Sequence, residues 1–233
     1  MDILDSDAQP MDYPAVLDKL KACLVAHSRY QSAYNEIVNI INEEPSAGEA
    51  PCLFISGPPG VGKTTLFEQI KAEEPDTAEW VEVTFRNQPP LLVKKCRMAA
   101  FEMPAYPNAS MVLNEILKAL GDPFYYRGTY ADLRDRAISF LKLCGTRVIV
   151  IDEASRLVDD SGELTSNRIV ELIKQLNSQR DLSISIVFFG LGRLRILFEA
   201  DDQILDRFGN AVRLDAFRCF HQSCSPSAPM AQI

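Results

Sequence analysis

The sequence predicts an α/β fold organised on a parallel sheet, and three observations carry that expectation. Short apolar runs alternate with stretches of helical periodicity along most of the chain, the order expected of strands joined by right-handed helical crossovers. Two of the runs, Val148-Ile149-Val150-Ile151 and Ile184-Ser185-Ile186-Val187-Phe188-Phe189, have the near-continuous apolar character of central strands buried on both faces. A glycine-rich turn, Gly57-Pro58-Pro59-Gly60-Val61-Gly62-Lys63-Thr64, stands between an apolar run and a helical stretch, the setting of a phosphate-binding loop.

Composition sets the outer limits. With 47% hydrophobic and 24% charged residues, a chain of 233 residues can bury one sizeable core. No apolar run approaches the ~20 residues that span a bilayer, so no membrane partner is expected. The N-terminus, Met1-Asp2-Ile3-Leu4-Asp5, is acidic, unlike a secretory signal. The six cysteines are scattered without a CxxC pair and read as reduced thiols, several of them core fillers, in a cytoplasmic protein. The net charge of −8 is uneven: residues 1–50 hold nine acids against three bases, which leaves the remainder close to neutral. A broadly basic nucleic-acid binder is thereby excluded, a local basic stripe is not. Three segments are expected: an acidic helical arm over 1–50, the core over 51–217, and an unstructured tail over 218–233.

Taken in order, Tyr13 to Asn42 has helical spacing, with Val16, Leu17, Leu20, Tyr30, Tyr34, Ile37 and Ile41 recurring on one face. Either it packs near a bound base or it is a capping helix pair. Cys52 to Ser56 is a strand, and Leu66, Phe67 and Ile70 mark the helix after the glycine-rich turn. Trp80 to Phe85 alternates as a strand. Leu91 to Ala99 fits strand and helix equally well. A helix is expected from Met111 to Leu120, closed by Gly121-Asp122-Pro123, and another from Tyr130 to Cys144, stopped by Gly145. After the strand ending at Asp152, an amphipathic helix runs from Ser166 to Gln179. The strand ending at Gly190 leads to a helix from about Leu194 to Glu199, and Ala211 to Leu214 is a last short strand.

The glycine-rich turn carries most of the chemistry. Glycines at Gly57, Gly60 and Gly62, with Pro58, Pro59 and Val61 between them, let backbone N–H groups close on a phosphate at the positive end of a helix. Lys63 would reach the β- and γ-phosphates of ATP, the Thr64 hydroxyl would bind Mg²⁺, and Thr65 completes the binding stretch. A glycine-rich αβ turn with a chance lysine is the alternative. About ninety residues further on, Asp152 and Glu153 follow an apolar strand, where α/β sheets place ligand chemistry. Asp152 suits the Mg²⁺ shell and Glu153 a general base polarising the attacking water; alone, two acids here would equally suit a helix cap.

Other candidates are less specific. Arg207 in Asp206-Arg207-Phe208 could project to a neighbouring subunit's γ-phosphate as an arginine finger, or pair locally with Asp206 or Asp202. Lys94, Lys95 and Arg97, with Arg86 upstream, are the densest basic cluster of the core. They read either as DNA phosphate contacts or as a solvated helix face. Arg193 and Arg195 form a second, sparser cluster. His27 and His221 lack ligand-spaced partners, so no zinc site or Ser-His-Asp arrangement is expected.

These pieces together resemble the TniB/TnsC group of AAA+ ATPases from DNA transposons, to which the Mu B protein is more distantly similar. The resemblance spans roughly residues 25–217. Besides the two nucleotide motifs, which all AAA+ proteins share, it rests on Ala119-Leu120-Gly121-Asp122-Pro123 with Gly128-Thr129, on Leu172-Ile173-Lys174-Gln175-Leu176-Asn177, and on Gln203 to Phe208. It implies a three-layer αβα core on a five-stranded parallel sheet. ATP and Mg²⁺ would be cofactors of a slow, assembly-dependent hydrolysis. Head-to-tail rings or filaments would form on duplex DNA and recruit a DDE transposase, with Arg207 completing the neighbour's site. Two alternatives stay open: a nucleotide-switched signalling or scaffold protein, and a replication-type loader. The chain departs from the family pattern at Ala154-Ser155-Arg156, where an aromatic, Gln and His often stand, and at Leu191-Gly192, where many relatives have a polar residue. With about twenty residues after the last expected strand, the helical lid usual in that family is expected to be missing or truncated.

Overall fold

In the computed structural model the described residues are 28–42, 50–73, 79–84, 89–179, 182–195 and 210–215. Helix α1 (Ser28–Asn42) precedes strand β1 (Cys52–Ser56) and helix α2 (Lys63–Glu73). Strands β2 (Trp80–Val83), β3 (Leu91–Lys94) and β4 (Met98–Glu102) follow, then helices α3 (Ala109–Ala119) and α4 (Tyr130–Cys144). Strand β5 (Val148–Asp152), the short helix α5 (Arg156–Asp159), α6 (Glu163–Asn177), β6 (Ser185–Gly190), a 3-10 turn (Gly192–Arg195) and β7 (Asn210–Arg213) complete the order.

Five strands form one parallel sheet in the order β4-β5-β6-β1-β7. The apolar runs have two buried faces because each alternate residue enters a different core. Cys52, Phe54, Ile149, Ile151, Ile186 and Phe188 pack with α3, α4 and α6. Leu53, Ile55, Val148, Val150, Val187 and Phe189 pack with α1 and α2. The sheet is therefore sandwiched between two helical layers, the three-layer αβα arrangement that the family resemblance implies. Helix α1 belongs to the second core: Ala33, Ile37 and Ile41 are buried there, and the Tyr30 hydroxyl donates to Gln69 Oε1 at 2.7 Å.

Several boundaries depend on local chemistry. Asn108 caps α3 through its side chain, which accepts from Met111 N. Thr129 and Asp132 form a capping box at the start of α4, and Gly145, with φ 70°, ends that helix. The ambiguous segment Leu91 to Ala99 resolves into two strands: β3 pairs antiparallel with β2, and β4 pairs parallel with β5. A solvated helix face at Lys94, Lys95 and Arg97 is thereby overturned. Pairing with neighbouring strands decides this stretch, since its own spacing does not. The 3-10 turn stands where a helix was expected to begin near Leu194; the rest of that stretch, residues 196–209, the arm over 1–27 and the tail lie outside the described residues.

Candidate nucleotide site

Strand β1 ends at Ser56 and the chain turns through Gly57–Gly62 into α2. Gly62 adopts φ +95°, a conformation L side chains rarely take. Gly57 is fixed by space: a Cβ there would lie 2.5 Å from the Leu214 carbonyl oxygen and 2.9 Å from Val61 Cγ1. Leu66 N donates to Gly62 O at 2.9 Å, so the first turn of α2 begins inside the loop and presents its positive end there. Lys63 Nζ donates to Gly57 O at 2.8 Å and to Pro58 O at 3.0 Å, bending over the loop it belongs to. Burial lowers the Lys63 pKa, while the charges of Glu153 and Asp152 act to raise it.

Strand β5 delivers the acids. Asp152 is 3% exposed, and its Oδ1 accepts from Glu153 N at 2.8 Å. The Thr64 side chain favours the ionised form of this carboxylate, so the two residues expected to hold Mg²⁺ act on one another. Burial pushes the Asp152 carboxyl above the usual range, and the nearby Glu102 carboxylate adds to this. The Glu153 N–H, Thr64 and Lys63 act in the opposite direction. Glu153 has φ 52°, a left-handed conformation that costs a non-glycine residue free energy and is held by the surrounding contacts.

Strand β6 lies between β1 and β5, so its C-terminal end separates the glycine-rich loop from the acids. Ala154 N donates to Phe189 O at 2.9 Å, and Leu191 N donates to Ser155 Oγ at 2.6 Å. These bonds fasten the turn after Glu153 to β6. The result is a cleft of about 260 Å³ lined by Pro59, Lys63, Asp152, Glu153, Ser155 and Gly190, among others. A hydroxyl, a carboxylate and a phosphate would form an all-oxygen donor set suited to Mg²⁺, and the loop around Gly57 to Gly62 suits a phosphate chain.

The structure thus brings together Lys63, Thr64, Asp152 and Glu153 beside Gly57, Pro58, Pro59, Gly60, Val61 and Gly62, with Thr65 in the first turn of α2. The basic cluster is elsewhere, at the β2–β3 hairpin, and its members have partners within the chain. Lys94 lies over the Trp80 ring at 5.8 Å, Lys95 Nζ meets Glu79 Oε2 at 2.7 Å, and Arg97 donates to Asn42 Oδ1 at 3.2 Å. Arg207 and Arg86 lie outside the described residues, as do the side chains of Arg193 and Arg195. Sequence reasoning missed Glu102, Ser155 and Arg156. Glu102 had one available signal, since it ends an apolar run as Asp152 does.

The fold is that of the AAA+ ATPases, with a glycine-rich loop between β1 and α2. The chain belongs to the TniB family: the family described as "Bacterial TniB protein" matches residues 19–218. No curated protein matches it. Among solved structures it is similar to the Aeropyrum pernix ORC2 protein in its ADPNP–ADP complexes, at 15% identity over 84% of this chain and 49% of that one, with a TM-score of 0.54. A Walker-type ATPase of Pyrococcus abyssi is similar at 12% identity over 84% and 55%, TM-score 0.54. The A. pernix ORC1 protein in complex with DNA is similar at 15% identity over 84% and 47%, TM-score 0.52. At these identities the likeness is one of fold, and the chain spans about half the length of those proteins.

Proposed function

We propose that this chain binds Mg²⁺-ATP between the Gly57–Thr65 loop and the Asp152-Glu153 pair, hydrolyses it slowly, and acts as a DNA-binding regulator of transposition. The cleft that Pro59 and Lys63 share with Asp152 and Glu153 carries the nucleotide reading, because it brings the glycine-rich loop and the acids to one site. Mg²⁺, when bound there, would neutralise charge developing on the phosphates. Lys63 would leave its two loop carbonyls for phosphate oxygens, and the N-terminus of α2 would hold the β-phosphate. Glu153 would accept a proton from water as the water oxygen attacks the γ-phosphorus and the bond to the ADP oxygen breaks.

Membership of the TniB family supports the transposition role. On this reading subunits assemble head-to-tail on duplex DNA, Arg207 completes a neighbour's site, and the assembly engages a DDE transposase. Lys94, Lys95 and Arg97 would exchange their present partners for DNA phosphates, which makes binding salt-sensitive and weakly sequence-specific. The test is ATPase activity with and without linear duplex DNA at low salt, alongside a direct DNA-binding titration. DNA that neither binds nor stimulates would remove the transposition role. A nucleotide-switched protein-binding role is favoured by one observation, the Lys95–Glu79 ion pair that occupies a candidate DNA contact. Assembly with a protein partner that survives Lys94→Glu/Lys95→Glu, without DNA binding by the wild type, would select it.

A further inference from the structure

Three carboxylates, Glu102, Asp152 and Glu153, stand at the C-terminal ends of β4 and β5, and the site described above uses two. Glu102 stands in register with Asp152 across the strand pair, and its charge works against the ionised form of that carboxyl. Arg156 begins α5 three positions after Glu153 and reaches back to β4. One terminal nitrogen donates to Glu102 Oε1 at 2.7 Å and the other donates to the Met103 carbonyl. Met103 N in turn donates to Asp152 O at 2.8 Å. Arg156 also lines two clefts, the nucleotide cleft and one beside β4 that it shares with Lys71, Glu102 and Lys118.

We propose that Arg156 is a positioning residue that neutralises Glu102, the carboxylate in register beside Asp152 on the adjoining strand, and that it thereby sets the preference of the nucleotide cleft for ATP over ADP. The proposal rests on the Mg²⁺-ATP reading of the site. ATP places one more charged phosphate toward the acids than ADP does, so an uncompensated third carboxylate beside Asp152, behind the cleft wall, repels ATP the more strongly. The forked guanidinium is suited to this task. It holds a carboxylate and a backbone carbonyl at once in fixed geometry, which a lysine ammonium does not reproduce. A pair with side chains 30% and 58% exposed contributes little to stability, so its consequence should appear in ligand selection.

The experiment measures dissociation constants of fluorescent ATP and ADP analogues at fixed Mg²⁺ for the wild type, Arg156→Gln, Glu102→Gln and the double variant. Arg156→Gln should lower the ATP-over-ADP preference by roughly three- to tenfold, with ADP binding retained. The double variant should regain the wild-type ratio, and Glu102→Gln alone should keep it or raise it. An Arg156→Gln protein with the wild-type ratio overturns the proposal. So does a double variant that stays impaired, because Arg156 would then act through a contact of its own, and so does a Glu102→Gln protein with a lowered ratio. A wild type that binds neither analogue removes the nucleotide reading, and this proposal with it. A wild type that binds ATP, with Arg156→Gln unchanged, removes this proposal alone.

Discussion

Arg136 Nε and Asp122 Oδ2 form an ion pair at 2.8 Å with side chains 2% and 0% exposed. The same guanidinium donates to Arg127 O at 3.0 Å and to Phe124 O, while Asp122 Oδ1 accepts from Phe124 N at 2.8 Å. The Asp122 to Arg127 loop is therefore closed around a buried pair of charges. This accounts for the Gly121-Asp122-Pro123 motif as a structural device, remote from the nucleotide cleft. Removing one charge leaves the other buried and unpaired. Arg136→Met should cost about 3–5 kcal/mol in urea denaturation, and Asp122→Leu/Arg136→Met should cost less than Arg136→Met alone. A single variant within about 1 kcal/mol of wild type would show that the loop is held by other contacts.

Lys63 and Glu153 should separate binding from turnover. Lys63 makes its hydrogen bonds to loop carbonyls, so Lys63→Ala should leave the melting temperature without nucleotide close to wild type while weakening ATP binding at least tenfold, on the order of 1.4 kcal/mol or more. Glu153→Gln should retain ATP binding and lose hydrolysis by a factor on the order of 10²–10⁴, the usual contribution of a general base. Paired binding titrations and phosphate-release assays read both. A Glu153→Gln protein that hydrolyses at the wild-type rate would assign the base elsewhere.

Gly57 tests whether the loop depends on its contact with the last strand of the sheet. Leu214 N donates to Ser56 O at 2.7 Å, which draws the chain after β7 against the loop. A Cβ at residue 57 would meet backbone and not a flexible side-chain end, so the strand must shift. Gly57→Ala should destabilise the protein by about 1–3 kcal/mol, as overpacking does, and weaken nucleotide binding as well. Thermal melts with and without nucleotide would show both effects, and a variant with unaltered stability and binding would mean that β7 yields freely.

What could be read from the sequence follows from how local each cause is. Strands β5 and β6 were legible because continuous apolar runs have few alternatives once both faces must be buried. The glycine-rich loop and the acids were legible because phosphate and metal chemistry restrict the residue types allowed. Leu91 to Ala99 was not, because Leu91 and Val93 fit both periods and only pairing with β2 and β5 chooses. The partner of Asp122 lay on α4 among Leu133, Ala137 and Phe140, where an arginine within an apolar stripe was an unused signal. The pairing of Arg156 with Glu102 is not legible in the sequence, because the register of β4 against β5, a tertiary fact, is what brings Glu102 beside Asp152 and within reach of Arg156.

The contact between α1 and α2 should respond to acid. Glu73 accepts from the Tyr34 hydroxyl and from Gln69 Nε2 at 2.9 Å, and these bonds hold its carboxyl below the usual range, with Tyr34 the larger cause. A carboxylate whose pKa is lower folded than unfolded adds stability that is present above the unfolded value, about 4.5, and lost as pH falls through the folded one. Solvent exposure screens the effect, so the gain at neutral pH should stay below about 1 kcal/mol. Tyr34→Phe and Glu73→Gln should each lower the melting temperature slightly at pH 7, and their differences from wild type should shrink together as the pH is brought below the folded pKa of Glu73. A gap that stays constant across that range would place the value of the contact in packing between α1 and α2, where Ala33, Ile37 and Ile70 already meet, and not in the charge of Glu73.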